Sequence, residues 1–150
     1  NLTEEQAADM LRRFDQAWPG LAAWRREQLR QTSSWVKTVS GRLRNVQGLP
    51  GTVRVNTPVQ GSAADCFKKA LGILWSTRHE CSSAVPVLVV HDELVLEVSA
   101  EEAERATRWV HKCLEDGVRY FFPEAPVRVE VIICADWSGR PHQESGSGSL

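Results

Sequence analysis

Residues 87–98 read VLVVHDELVLEV, two dense runs of β-formers around His91, Asp92 and Glu93. A polar triplet cannot lie inside a buried strand without partners, so the pattern predicts an antiparallel hairpin with Asp92 at its tip. Two readings of the triplet stand at this point. It is either a polar turn or a place where carboxylates do chemistry. A tip held by two apolar strands suits a metal ligand. Hard cations such as Mg2+ take carboxylate oxygens, and a two-metal site sets its ions about 3.5–4 Å apart. Neighbouring strand residues point to opposite faces. Unless the turn rotates one of them, Asp92 and Glu93 cannot grip the same ion pair, and the second ligand must come from another element.

The rest of the chain alternates in kind. LTEEQAADMLRRFDQAW has Thr3 as an N-cap and apolar residues at helical spacing (Ala7, Met10, Leu11, Phe14, Trp18). After Pro19-Gly20 a second amphipathic helix sets Leu21, Trp24 and Leu29 against Arg25, Arg26 and Arg30. WVKTVSGRLRNV reads as two short extended pieces around Ser40-Gly41, and GLPG as a turn. NTPVQGSAADCFKKALGILWSTR predicts a helix capped by Asn56 or Thr57, with Pro58 at N1 and a buried stripe of Ala63, Phe67, Leu71, Leu74 and Trp75. SAEEAERATRWVHKCLEDGV predicts a further helix, with Ser99 as cap, Glu102 at the capping-box position and Gly117 as the stop. APVRVEVIICADW predicts a closing strand. The expected fold is α+β, a small antiparallel sheet (hairpin plus C-terminal strand) packed against several helices. Residues 1–140 are expected to form one domain and residues 141–150, ending ESGSGSL, a flexible tail.

Charge is unevenly placed although the formal net charge is only -1. From Arg12 to Lys69 there are eleven Lys/Arg against three acids; from Glu80 to Asp136 there are twelve acids against five bases. A polyanion-binding surface beside a carboxylate-bearing one explains this, and so do two solvated faces. The four cysteines share no CxxC pair and no zinc-like spacing with a histidine. Reduced, buried thiols in a cytoplasmic protein are the expectation. No signal peptide or membrane-spanning run is visible, so no membrane partner is expected. The first residue is Asn1 rather than Met, which reads as a processed or cut chain.

Two segments bear on the triplet. TVSGRLR sets Arg42 and Arg44 beside a glycine, an arrangement for phosphate contacts or a solvated turn. NTPVQGSAAD sets Gln60 near a helix start, where it can meet a nucleic-acid edge or serve as ordinary capping polarity. Together with VHDELVLEV and VRVEVIICADW, these segments resemble, in order, four motifs of the C-terminal part of family A DNA polymerases of the bacterial DNA polymerase I type. The resemblance runs from about Leu2 to Trp137.

It implies a polymerase palm-like fold. It also implies that Asp92 binds catalytic Mg2+, with Glu93 supporting it and His91 near the primer end. Asn56 and Gln60 would touch the minor groove of primer–template DNA, where a donor can check pair geometry without reading sequence. Arg42 and Arg44 would approach the DNA strands. The family's first catalytic aspartate, in a D-Y-S-Q-I-E-type segment, has no match here, and neither has the helix that supplies Lys, Arg and Tyr to the nucleotide. The stretch from Arg44 to Asn56 is shorter than in the family, and Arg54 has no clear counterpart. The expectation is a portion of a DNA-directed DNA polymerase, inactive alone, that pairs with a complementary polymerase half or self-associates through an open sheet edge. The alternative is a non-catalytic DNA-binding or partner-binding module derived from a polymerase.

Overall fold

The computed structural model describes residues 2–136. Trp137, which closes the fourth motif, and the tail 141–150 lie outside the described residues. Among the described residues the fold is α+β, with four α-helices, two short 3-10 turns and two separate two-stranded antiparallel sheets. The chain divides into two compact units, with the boundary between Ser62 and Ala63.

The first unit opens with α1 (Glu4–Ala17), whose N-terminus carries a complete capping box between Thr3 and Gln6. Pro19 starts α2 (Pro19–Arg30). There the missing N–H costs nothing, because first-turn amides have no helical acceptor. Half-buried Arg25 and Asp15 tie the two helices at 2.8 Å. β1 (Trp35–Lys37) and β2 (Leu43–Asn45) form the first hairpin. Its turn places Gly41 at φ 92, where a Cβ would be strained.

α3 (Gly51–Ser76) differs from the sequence expectation. It begins at Gly51, so Pro58 lies inside the helix and neither Asn56 nor Thr57 caps it. Pro58 has no N–H for the Arg54 carbonyl, a local loss of one helical bond. Thr57 Oγ1 turns back to the Val53 carbonyl at 2.7 Å. Tertiary contact outweighs the proline signal: the Arg54 guanidinium donates to the Ser33 carbonyl and anchors the first turns of α3. The buried line is also rotated from the expected stripe. Ser62, Asp65, Cys66, Ala70 and Leu74 are buried, while Ala63 and Trp75 are exposed. Trp75 is covered on one face by the Arg78 guanidinium, 4.3 Å from its ring centre, so an aromatic at core spacing stands in solvent with a cation on it.

In the second unit β3 (Val85–Val90) pairs with β4 (Glu93–Glu97), and Val87 is an extra residue in the ladder. A 3-10 turn (Ala100–Glu102) leads into α4 (Ala103–Arg119). The core joins Leu74, Cys81, Ala84, Ala106, Trp109, Val110 and Cys113, with Leu94, Leu96 and Val98 packed against it. The spacing of 94, 96 and 98 puts one face of β4 on this core. Trp109 satisfies its indole N–H on Thr77 Oγ1 at 2.8 Å. Burial raises the Cys66 and Cys113 thiols above their ordinary value, so both remain neutral structural groups.

Three further expectations are corrected. Ser99 does not cap α4; its hydroxyl donates to Ser83 Oγ at 3.2 Å. Glu102 instead accepts from the Ser83 hydroxyl and amide and pairs with Arg105. This network joins the chain just before β3 to the chain just after β4. Gly117 does not stop α4. It is buried within the helix, and a Cβ there would lie 2.5–2.8 Å from Ala70, including its backbone. Its missing side chain serves helix–helix approach rather than termination. The closing strand does not form over residues 126–133, and Cys134 is only an isolated bridge. Alternate burial persists along 127–133, but among the described residues β3 and β4 pair only with each other. Side-chain alternation thus covers one face without a neighbour to complete a ladder.

Gly117→Ala is expected to destabilise the chain by about 1–3 kcal/mol, because α3 and α4 would have to separate. Gly72, in the same helix as Ala70 but with nothing within 4 Å of its Cβ position, gives the opposite sign. Gly72→Ala is expected to stabilise by about 0.5–1 kcal/mol. Denaturant melts of both variants check the pair. The Ser83 hydrogen bonds hold the Glu102 carboxyl below the ordinary range of a glutamate. A lowered folded-state pKa gives stability that is present above the unfolded value and lost as pH falls through the folded one. Stability should therefore drop below about pH 4.5 in the wild type, and Glu102→Gln should flatten that drop in melts taken from pH 7 to pH 3.

Candidate nucleic-acid and metal-ligand site

The residues singled out in the sequence fall in both units. In the first, Arg44 lies in β2 opposite Val36, and Arg42 immediately precedes that strand. Asn56 and Gln60 are both exposed on α3, one helical turn apart, and so lie on one face. Because α3 starts at Gly51, Gln60 stands in its third turn. The positive end of the helix dipole, confined to the first turn, does not reach it.

What sequence reasoning missed is that TVSGRLR and NTPVQGSAAD touch. Arg42 Nη2 donates to the Gly61 carbonyl at 3.1 Å, and the Val39 amide donates to Ser62 Oγ at 2.9 Å. A Cβ on Gly61 would lie 2.5 Å from the Thr38 methyl. The glycine beside Gln60 was the available signal, since glycine allows one backbone to approach another. Spacing alone does not say which backbone.

In the second unit β3 and β4 are joined by a two-residue turn, His91–Asp92, and Glu93 opens β4 opposite Val90. His91 has φ 56, the one positive φ among described non-glycine residues. Positive φ at only the first central position is the φ pattern of a type II′ turn. The turn therefore carries backbone strain at a residue next to the candidate ligand. His91, Asp92 and Glu93 are all exposed. Among the described residues no group of three or more His, Cys, Asp or Glu is placed to hold a metal ion. Asp92 stands in the turn and Glu93 in the ladder, a donor set that does not by itself fit a resident Mg2+. Every residue of β3 is exposed, apolar though the strand is. Pro86 and the extra Val87 interrupt it, both features that blunt a strand edge.

Comparison with known proteins settles the lineage. The family model for DNA polymerase family A matches residues 1–139. The chain belongs to DNA polymerase family A. It is 36% identical over 146 residues to the thermostable DNA polymerase I of Thermus aquaticus, a match covering 89% of this chain and 17% of that protein. It is 33% identical over 136 residues to DNA polymerase I of Geobacillus stearothermophilus, covering 82% of this chain and 16% of the relative. Among solved structures it is similar to the POL domain of Pol1 from M. smegmatis, in complex with DNA primer-template and dNTP. That match has a TM-score of 0.70 and 25% identity, over 77% of this chain and 23% of the other. The family A relatives are thus about six times as long as the part this chain matches. No helix among the described residues is long and apolar enough to cross a membrane.

Glycine is the favoured first residue of a II′ turn. His91→Gly should remove the φ penalty and stabilise the hairpin by about 0.5–1 kcal/mol. Hydrogen exchange at the Val90 and Glu93 amides reads this as slower opening.

Proposed function

We propose that this chain is a portion of a DNA-directed DNA polymerase, with residues 1–140 acting as a palm/fingers part that contacts primer–template DNA and contributes one catalytic carboxylate. The observation that carries the reading is the His91–Asp92 turn at the tip of a hairpin, in a chain matched by family A over residues 1–139. Asp92 is the carboxylate offered to Mg2+, Glu93 supports it, and His91 lies toward the primer end. Asn56 and Gln60 face the minor groove, and exposed Arg44 approaches the strands. The solved POL domain held with primer-template and dNTP supports DNA as the partner.

Nucleotidyl transfer stabilises charge between metal ions clamped by more than one carboxylate. When bound, Mg2+ would supply that stabilisation. This chain's part is to hold Asp92 on a short turn between two paired strands. The other carboxylate has to come from a complementary polymerase portion. The apolar side chains of β3 are all exposed and offer a face to a partner or a second copy, while Pro86 and the extra Val87 work against strand pairing at its edge. The absence of a metal-ligand group among the described residues favours a second reading, a module that binds primer–template without catalysis.

Primer extension separates these readings. The chain alone, given Mg2+ and dNTPs, should extend nothing. Adding the upstream polymerase portion of a family A relative should restore extension. Asp92→Ala should then lower it about 10³-fold, the scale of several kcal/mol of metal-borne stabilisation. Salt-dependent primer–template binding without any extension in the reconstituted pair would establish the binding module. Neither extension nor binding at low salt would sink both.

A further inference from the structure

One face of the β1–β2 hairpin is turned to solvent with large apolar groups on it. Residues two apart on a strand share a face. Trp35 and Lys37 of β1 therefore lie together, with Asn45 and Leu43 of β2 across from them in register. Val36, between Trp35 and Lys37, is buried, so the hairpin packs by its other face. Trp35 is 51% exposed and Leu43 63%.

The support under Trp35 is firm. Ser33 Oγ accepts from the Trp35 amide and donates to the Trp35 carbonyl, both at 3.1 Å. The Val46 amide reaches the Ser34 carbonyl at 2.8 Å and closes that end of the ladder. Lys37 lies along the turn, its Cε 3.4 Å from the place a Cβ on Gly41 would take. This carries the ammonium along the strand, away from the ring. The two side chains start about 7 Å apart on the strand, comparable to the step between neighbouring phosphates of an extended single strand.

A ring this large is rarely left in water without a partner. Trp75 is also exposed, but the Arg78 guanidinium covers one of its faces. Among the described residues no ring or cation lies on Trp35. Charge points to the kind of occupant. From Arg30 to Arg54 the sequence holds five Lys/Arg and no acid, so a polyanion fits this part of the chain. A ring and a cation side by side form a stacking platform for single strands. Bases inside a duplex are already stacked on both sides, so only an unpaired base offers the ring a free face. In primer–template DNA the unpaired bases belong to the template overhang.

We propose that the outer face of the β1–β2 hairpin is a binding subsite for the unpaired template strand, with Trp35 stacking on a base and Lys37 holding a neighbouring phosphate. This rests on the polymerase reading for its DNA partner, and it adds a subsite that none of the four motif resemblances assigns.

The test measures binding of the 150-residue chain to three duplexes across a salt series. One is blunt, one carries a template overhang of about six thymidines, and one carries an overhang of the same length built from abasic sites. The wild type should bind the thymidine overhang about tenfold more tightly than the blunt duplex, and the abasic overhang should lose most of that gain. Trp35→Ala should lose the gain and keep its affinity for the blunt duplex, which also shows that the variant is folded. Trp35→Phe, which keeps a ring, should retain most of the gain. Lys37→Ala should make the salt slope on the thymidine overhang shallower by about 0.7 and leave the slope on the blunt duplex unchanged.

A wild type that binds the blunt duplex and the thymidine overhang equally overturns the subsite and leaves the polymerase reading standing. A Trp35→Ala variant that keeps the overhang gain overturns it as well. Sedimentation without DNA decides whether the face belongs to a second copy. A wild-type dimer that Trp35→Ala turns into a monomer with unchanged overhang binding assigns the face to self-association and overturns the proposal. A wild type that binds none of the three duplexes at low salt overturns the polymerase reading and the subsite with it.

Discussion

Other parts of the chain have to come close to α3, and at Gly61 and Gly117 a missing side chain makes the room. In the first unit Gly61 lets the Thr38 methyl sit where a Cβ would be. In the second, Gly117 lets α4 come against the backbone of Ala70. Such contacts do not tolerate small errors, because packed interiors have no free volume to absorb a methyl group. Each fixes a motif. The first sets the β1–β2 turn on the helix segment that bears Gln60. The second seats α4 on the core, where Trp109 and Cys113 meet the Thr77 hydroxyl.

The second hairpin is held unevenly. β4 puts Leu94 and Leu96 on the core, while β3 is exposed along its whole length. Its base is tied by Ser83, Ser99 and Glu102, and its other end by a two-residue turn that leaves His91 at positive φ. A carboxylate on such a turn is presented on a short, paired support, which suits a ligand shared with a second element. The charge pattern fits the same division. Bases gather in the part of the sequence that holds the DNA-contact candidates, and acids in the part that holds Asp92.

The hairpin was legible because two β-runs around a polar triplet have few other solutions, and the structure returns it with Asp92 in the turn. α1, α2 and the β1–β2 pieces were legible for similar reasons of capping, proline placement and period. The misread positions share a cause. Pro58, Gly117 and Ser99 each carry a strong local preference, for a helix start, a helix stop and a cap. In each case a contact distant in sequence decides instead. The Arg54 bond to Ser33, the approach of Ala70 and the hydroxyl of Ser83 have no local signature.

Sequence by itself determined the family, the α+β class and the place of Asp92 between two strands, because periodicity, turn residues and motif order are local properties. Tertiary structure alone decided that Gln60 stands in the third turn of α3, that Arg42 holds a helix carbonyl, and that residues 126–133 form no strand with the other described residues. Those outcomes depend on which backbone groups meet across long separations. A side-chain pattern records that a face is covered, but not by what.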